Sequence, residues 1–218
     1  MVMTRFTLPL LATALLLGMV IAGLIGGPAF APDLHTDMWF IGWRAANVQL
    51  TRAVIALTHL GGAAVLVPLC LAVTLLLWRW RGRRNALFFL AATMSARAMI
   101  EVLKLAVDRP RPAFDPYPVI VSSKSFPSGH AGNSMVVYLA IALFLAPERW
   151  RPHAIAAAIA LSLAIGWTRP MLGVHWPTDV VAGWCFGLLW TGSWWWFSRR
   201  GAAAASGYSP ASPAADQA

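Results

Sequence analysis

Six long apolar segments, separated by short polar stretches, constrain most strongly how this chain can fold. They lie at about 8–27, 53–78, 86–107, 131–146, 154–172 and 179–197. A helix needs roughly 17–25 mostly apolar residues to span a bilayer, and in lipid its backbone polar groups must be satisfied within the segment. The fourth and fifth segments are marginal in length and become adequate if they extend into flanking polar positions. The pattern predicts an all-α polytopic membrane protein, a bundle of six transmembrane helices.

The composition also indicates a protein that lies in lipid. Only 11% of the residues are charged and 59% are hydrophobic, whereas a soluble domain carries about 25% charged residues. The formal net charge of +9 comes from arginines in short clusters, not from one basic face. This arrangement is typical of membrane topology rather than of nucleic-acid binding. We therefore expect the bilayer, and no nucleic acid, as a partner.

Basic clusters at alternate ends of successive segments predict the orientation. Their members are Arg5, Arg79, Arg81, Arg83, Arg84, Arg149, Arg151, Arg199 and Arg200. The positive-inside rule places such clusters in the cytoplasm. Both termini are then cytoplasmic, and the loops at 28–52, 108–129 and 173–178 face outward. In a bacterium this would be the inner membrane, with those loops on the periplasmic side.

The two ends of the chain need separate predictions. The first segment, followed by Ala29-Phe30-Ala31, also resembles a signal peptide with its cleavage site, but its apolar run exceeds the usual 7–15 residues. A retained first span is therefore favoured. Residues 34–52 show helical spacing of apolar positions and predict an amphipathic helix at the outer interface. Residues 1–200 would form the membrane domain, and 201–218, rich in Ala, Ser, Gly and Pro, a disordered cytoplasmic tail.

The first polar cluster lies at the outer end of the third segment. Lys104 and Arg111 are seven residues apart, so they project from one face if the helix persists. Pro110 and Pro112 end the helix and turn Arg111 back. Arg109 is rotated away from that face by its spacing from Lys104. The alternative is that these basic residues cap a helix or anchor it to lipid headgroups.

The second cluster is Pro127-Ser128-Gly129-His130, directly before the fourth segment. Ser128 suits an N-cap, and Gly129 lets the backbone approach a ligand closely. A helix N-terminus with free N–H groups binds anions, and His130 at that position could donate a proton to a leaving oxygen. The alternative is an ordinary capped helix with an incidental histidine.

The third cluster runs from Thr168-Arg169 to Asp179, between the fifth and sixth segments. Pro177 suits the first turn of a helix and places Asp179 in that turn. A carboxylate four residues after His175 can reach its Nδ1 and leave Nε2 unprotonated and nucleophilic. The alternative is a histidine satisfied at an interface. All three clusters fall on the predicted outer side and together supply what phosphoryl transfer requires.

The three clusters match three signatures in order: Lys-x6-Arg-Pro at 104–112, Pro-Ser-Gly-His at 127–130, and Ser-Arg-x5-His-x3-Asp at 168–179. On these residues the chain resembles the type-2 phosphatidic acid phosphatase superfamily of membrane lipid phosphate phosphatases, and the likeness covers about 8–197. The family's six-helix plan agrees with the apolar segments. One departure is Thr168, where the family usually has serine.

The resemblance implies a role for each matched residue. His175 would be the nucleophile that forms a phosphohistidine, Asp179 would orient it, and His130 would act first as acid and then as base. The residues implied to bind the substrate phosphate are Lys104, Arg111, Ser128, Gly129 and Arg169. No metal and no other cofactor is expected.

The implied substrate is a lipid phosphate or diphosphate. An isoprenyl (undecaprenyl-type) diphosphate is the first expectation, ahead of phosphatidylglycerol phosphate, phosphatidic acid and lipid A phosphate. A vanadate-dependent haloperoxidase has a similar site, but relatives of that kind are soluble and this chain is not. A non-enzymatic protein that binds or flips phospholipids is the remaining alternative, since it would need the cations but no nucleophile.

Overall fold

The computed structural model describes residues 18, 20–27, 30–114 and 116–206, and within them it is helical, without strands. Residues 20–26 are helical, and seven further α-helices follow. They are α1 (Ala31–Ala46), α2 (Val48–His59), α3 (Ala63–Trp80), α4 (Arg83–Val107), α5 (Gly129–Phe144), α6 (Arg151–Met171) and α7 (Pro177–Ser206), with a 3-10 turn at Glu148–Trp150 before α6. The predicted all-α membrane bundle is confirmed.

Several of these helices suit a membrane in length and composition. Three helical stretches are long and apolar enough to cross one, namely Val48–Trp80, Arg83–Val107 and Glu148–Met171, and α5 is a shorter apolar helix. Large apolar side chains face outward along the bundle, including Leu75 (73% exposed) and Leu105 (80% exposed). Such a surface would be a liability in water and is the normal surface in lipid.

The second predicted segment is interrupted in the structure. A turn at Leu60-Gly61-Gly62 separates α2 from α3, so the prediction of one continuous helix over 53–78 is wrong. The two glycines allow a close approach to other helices. A Cβ on Gly61 would lie 2.5 Å from Ile165 Cγ2 and 3.3 Å from His130 Cδ2. The break therefore brings bare backbone against one of the predicted catalytic histidines.

Helix α1 covers much of the predicted amphipathic segment, but it buries an unexpected face. Asp33 and Asp37 are fully buried, whereas Met38 and Trp39 are 57% and 63% exposed. The apolar side chains face outward because the surroundings are lipid, and the acidic ones face the polar interior of the protein. This reverses the burial that the same pattern would have in water.

Helices α5 and α7 pack closely through small residues. A Cβ on Gly183 would lie 2.8 Å from Ser128 O, and a Cβ on Gly187 would lie 2.7 Å from Met135 Cβ. Glycines four apart allow helix backbones in membranes to approach each other. The contact brings the starts of the two helices together, and the Ser128 N–H donates to Asp179 O over 3.0 Å.

The two ends of the chain are described only in part. Helix α7 continues through Ser206, beyond residue 201, where the sequence predicts that a disordered tail begins. Residues 207–218 and 1–17 lie outside the described residues, and with them lie most of that tail, the predicted signal-peptide alternative and most of the first segment.

Candidate active site

The three predicted clusters meet at one cavity of about 270 Å³ at one end of the bundle. The predicted site residues that line it are Lys104, Arg111, Gly129, His130, Arg169 and His175. The other two, Ser128 and Asp179, are fully buried and contact this group. The fold therefore brings together residues that are up to 75 positions apart in the sequence.

Lys104 and Arg111 meet by a route that the sequence analysis did not expect. Helix α4 ends at Val107, and Asp108 adopts the left-handed conformation with φ of 51°. Arg111 therefore lies in the following loop, so the helix does not persist as far as Arg111 and the two cations do not share one helical face. They converge because both contact Ser123. Lys104 Nζ donates to Ser123 Oγ over 3.1 Å, and Arg111 Nε donates to Ser123 O over 2.7 Å.

His175 lies in the turn between α6 and α7. Gly173 supplies a left-handed residue with φ of 70°, which ends α6 and returns the chain towards the cavity. The imidazole is only 2% exposed, and its Nε2 lies 3.1 Å from Arg111 Nη1. Burial, reinforced by Arg111, holds the pKa of His175 well below its ordinary value. The side chain is therefore neutral at physiological pH, which is the nucleophilic form.

Asp179 contacts the other nitrogen of this imidazole more loosely than expected. Its Oδ2 lies 3.6 Å from His175 Nδ1, which is longer than a hydrogen bond. Ser125 Oγ donates a hydrogen bond to the same Oδ2 and lies 3.4 Å from His175 Nδ1. The Trp176 N–H also donates to Oδ2, over 3.0 Å. Ser125, which the sequence analysis missed, is thus shared between the carboxylate and the imidazole.

Arg109 has a place in the site that its spacing did not indicate. It is absent from the cavity lining but only 4% exposed, and its Nη1 lies 2.6 Å from Asp179 Oδ1. Its Nη2 lies 2.9 Å from Asp33 Oδ2. Asp33 also accepts a hydrogen bond from the Thr178 N–H over 3.0 Å, and so stabilises the start of α7. Sequence reasoning set Arg109 aside because it considered only the face of α4.

His130 and Ser128 occupy the start of α5. His130 is the second residue of the helix, is half-buried, and packs against the Gly61-Gly62 turn. Ser128 stands at the predicted N-cap position, but its side chain makes no capping hydrogen bond. Its Oγ is buried and without a hydrogen-bond partner among the described residues. The hydroxyl and the free N–H groups of the first turn are therefore available to an anion.

Arg169 is the most deeply buried of the four cations that line the cavity. It is 3% exposed, and its Nη1 donates to Thr58 Oγ1 over 2.8 Å. Its Nε has no hydrogen-bond partner in the described part of the chain. The neighbouring Thr168 donates its hydroxyl to Ile165 O over 2.5 Å and does not line the cavity. The Thr-for-Ser departure therefore affects a hydroxyl directed towards its own helix.

The cavity has the chemistry of an anion site. Four cationic side chains, Arg97 among them, and two histidines line it, and a buried carboxylate supports one histidine from outside. Among the residues that the structure describes, no group of three or more His, Cys, Asp or Glu side chains could hold a metal ion. Cations and N–H groups neutralise phosphoryl oxygens by direct hydrogen bonds. The arrangement can bind a phosphate and place a nucleophile beside it.

Comparisons with a protein family, with individual relatives and with solved structures all give the same family. Residues 85–202 match the PAP2 superfamily. The chain is 36% identical over 147 residues to phosphatidylglycerophosphatase B of Bacillus subtilis, covering 64% of this chain and 71% of that protein. It is 29% identical over 146 residues to an undecaprenyl-diphosphatase of Sulfolobus acidocaldarius, covering 63% and 66% of the two chains.

A solved structure supports the assignment. The crystal structure of a transmembrane PAP2 type phosphatidylglycerolphosphate phosphatase from Bacillus subtilis superposes with a TM-score of 0.77 at 29% identity. The match covers 87% of this chain and 96% of the other. The family match extends over more than half of the chain and includes all three signatures. This chain therefore belongs to the PAP2 superfamily, whose signatures its sequence carries.

Proposed function

We propose that this protein hydrolyses the phosphate of a membrane lipid phosphate or diphosphate through a covalent phosphohistidine at His175. The observation that carries the proposal is the neutral, buried imidazole whose Nε2 faces Arg111 over 3.1 Å, in a cavity that Lys104 and Arg169 also line. The family is one of membrane lipid phosphatases, and every residue of its three catalytic signatures except Ser at position 168 is present.

In the first step His175 Nε2 attacks the phosphorus atom and forms an N–P bond. The P–O bond to the lipid breaks, and His130, which takes up a proton when the anionic substrate binds among the cations, gives that proton to the leaving oxygen. Asp179, through its own contact and through Ser125, holds the ring and stabilises the charge that develops on it. The geometry suits this role because Nδ1 faces the carboxylate while Nε2 faces the cavity.

In the second step a water molecule attacks the phosphorus atom, and His130 accepts its proton. The N–P bond breaks, inorganic phosphate leaves, and His175 is regenerated. Positive charge does most of the stabilisation throughout, because phosphoryl transfer is mainly a matter of positioning and charge neutralisation. That charge comes from Lys104, Arg111 and Arg169, assisted by Ser128 Oγ and the Gly129 N–H.

The substrate is a lipid that presents its phosphate at the membrane surface. The candidates are an isoprenyl diphosphate, phosphatidylglycerol phosphate and phosphatidic acid. One relative is named for phosphatidylglycerophosphate and another for undecaprenyl diphosphate. A cavity that opens among helices of a membrane bundle suits a substrate that diffuses within the bilayer.

We further propose that both termini are cytoplasmic and that the site opens on the outer face. The support is the charge distribution, because the arginine clusters at 79–84 and 149–151 lie in the connections opposite to those that carry the site. Residues 1–200 form the membrane domain in this proposal, and 201–218 a cytoplasmic extension. Reporter fusions at both ends would test it, and a periplasmic signal from either terminus would contradict it.

Purified protein in detergent, assayed with several lipid phosphates and excess chelator, tests the enzymatic proposal. The wild type should release phosphate, and His175→Ala should lose activity by several orders of magnitude. His130→Ala should slow both steps, because the first needs its proton and the second needs its base. His153→Ala, remote in sequence from the signatures and packed on Trp150, is the matched control. Absence of phosphate release from every lipid would defeat the proposal.

The same His175→Ala variant separates an enzyme from a protein that only binds or flips phospholipids. Reconstituted in vesicles, a flippase would keep its transport without the imidazole, since the cations alone bind the headgroup. An enzyme would lose turnover and keep its affinity for the lipid.

A further inference from the structure

Three polar side chains line the cavity that the proposed chemistry does not use. Arg97 and Glu101 lie on α4, and Asn133 lies on α5. They belong to the same cavity as Lys104, Gly129 and the two histidines. Their position is one to two helical turns further along α4 and α5, away from the loops that carry His175 and Arg111.

These side chains make no direct polar contact within the described part of the protein, and the Glu101 charge acts on Lys104 only at longer range. The ion pairs found there involve neither Arg97 nor Glu101, and none of the three makes a side-chain hydrogen bond. Both charged residues lie within a helix that is long and apolar enough to span a membrane. Charged side chains in such helices are energetically costly, and where they occur they bind a ligand or an ion or line its path.

The spacing along α4 gives these residues an order. Lys104, Glu101 and Arg97 are separated by three and four residues, which places them on one face of the helix. A rise of about 1.5 Å per residue sets Glu101 roughly 4–5 Å and Arg97 roughly 10 Å from Lys104 along the helix axis. Asn133 faces the same level from α5, since it is one turn beyond Gly129.

Apolar side chains continue from this polar level around a small internal void of about 10 Å³. It is lined by Leu66, Val67, Cys70, Thr93, Met94 and Val137, and it shares Arg97 and Asn133 with the cavity. The order along the helices is therefore a phosphate site, a second polar level and then apolar side chains. That is the order of groups in an amphiphile with a second polar group between its terminal phosphate and its tail.

We infer that Arg97, Glu101 and Asn133 form a second subsite, which binds an anionic phosphodiester separated from the scissile phosphate by a short hydroxylated linker. The inference rests on the proposed function and specifies its substrate class. Arg97 neutralises the phosphodiester, Glu101 accepts a hydrogen bond from a linker hydroxyl, and Asn133 donates to either group.

The position of Glu101 between the two cations adds discrimination. A second phosphate joined directly to the scissile one shares a bridging oxygen with it, so it would lie beside Lys104 and next to the Glu101 carboxylate. Like charges at that distance disfavour binding. A phosphodiester beyond a three-carbon linker passes Glu101 and reaches Arg97. The subsite therefore favours phosphatidylglycerol phosphate over isoprenyl diphosphates, contrary to the first expectation from sequence.

The test compares two lipids that share a diacylglycerol tail. Phosphatidylglycerol phosphate carries the spaced phosphodiester, and phosphatidic acid carries only the scissile phosphate. Arg97→Gln should raise KM for the first lipid by about 10- to 100-fold and leave KM for the second within about twofold, the range expected for one charge-assisted contact. Activity on phosphatidic acid also shows that the variant is folded.

Glu101→Gln is the second variant and decides the matter if Arg97→Gln is not stable. It should increase kcat/KM for an isoprenyl diphosphate by about tenfold relative to phosphatidic acid. Equal effects of each variant on all lipids would overturn the inference. A wild-type protein that hydrolyses none of these lipids would instead defeat the proposed function, so the two failures are distinguishable.

Discussion

Asp37 predicts an unusual dependence of stability on pH. Its carboxyl group is fully buried in α1, which is not among the candidate spans, and neither oxygen has a hydrogen-bond partner within the described residues. Burial, with the charges of Asp33 and Asp179 nearby, raises its pKa from 3.8 to about 9. Asp37 is therefore neutral at physiological pH, and replacement by asparagine keeps its shape while removing the titration.

The direction of this pH dependence follows from the difference between the pKa values of Asp37 in the folded and the unfolded protein. Because the pKa is higher in the folded protein, the unfolded chain releases this proton above about pH 4 while the folded protein keeps it. The contribution of Asp37 to stability is thus greatest at low pH and is lost as the pH rises towards 9, at roughly 1.4 kcal/mol for each pH unit. Between pH 6 and pH 8 the wild type should lose about 3 kcal/mol that Asp37→Asn does not lose.

Thermal unfolding in detergent at several pH values measures this difference. For a chain of this size the expected loss corresponds to a fall in Tm of roughly 5–10 °C in the wild type relative to the variant. Asp108→Asn is the control, because that carboxylate is 65% exposed and pairs with Lys124 at the surface. Its Tm should follow the wild-type curve.

Parallel curves for wild type and Asp37→Asn between pH 6 and pH 8 would refute the reasoning. That result would mean that the carboxyl group is ionised in the folded protein, and hence that a cation or a water molecule stabilises it. A variant that is less stable at every pH would indicate a hydrogen bond that asparagine cannot replace.

Two further predictions concern the support of the nucleophile. Arg109→Gln leaves the carboxylate of Asp179, beside His175, without its counter-ion, so the pKa of His175 should rise. The acid limb of the pH profile of kcat/KM should then move about one unit to higher pH, and Arg109→Lys should reverse much of this shift. An unchanged pH profile would show that Arg109 is only structural. Gly183→Ala puts a Cβ 2.8 Å from Ser128 O, so it should lower the stability by about 1–3 kcal/mol and also lower kcat. Gly192→Ala is the control, because a Cβ there has nothing within 4 Å and should change neither. Wild-type turnover in Gly183→Ala would contradict the close packing described above.

The residues of the three signatures could be predicted from the sequence because their chemistry and their topology agree. Lys104, Arg111, His130, Arg169 and His175 line one cavity, as the predicted outer side requires. Their roles in catalysis stay predictions. The helical class was equally accessible, since apolar segments of spanning length leave few alternatives in lipid.

The contacts that hold the catalytic side chains in place could not be predicted in the same way. Asp33 reaches Arg109 across 76 positions, and no local pattern records that contact. Ser125 lies in a loop whose path depends on tertiary hydrogen bonds, such as that from its N–H to Arg109 O over 2.9 Å. The helix break at 60–62 is different, because the pair Gly61-Gly62 is a local signal for a break. The long apolar run around it favoured one continuous helix instead.

The tight contact between α5 and α7 has a consequence for how a lipid could enter. Through Gly183, the segment that starts with Ser128 and the segment that follows His175 are locked together, so acid, nucleophile and orienting carboxylate share one rigid frame. Helices α3 and α4 carry the other wall of the cavity and pack on α5 through apolar side chains such as Leu66, Phe89 and Val137. We therefore expect a lipid to enter beside α5 and α7 rather than between them, so that the reacting groups keep their mutual distances while it does.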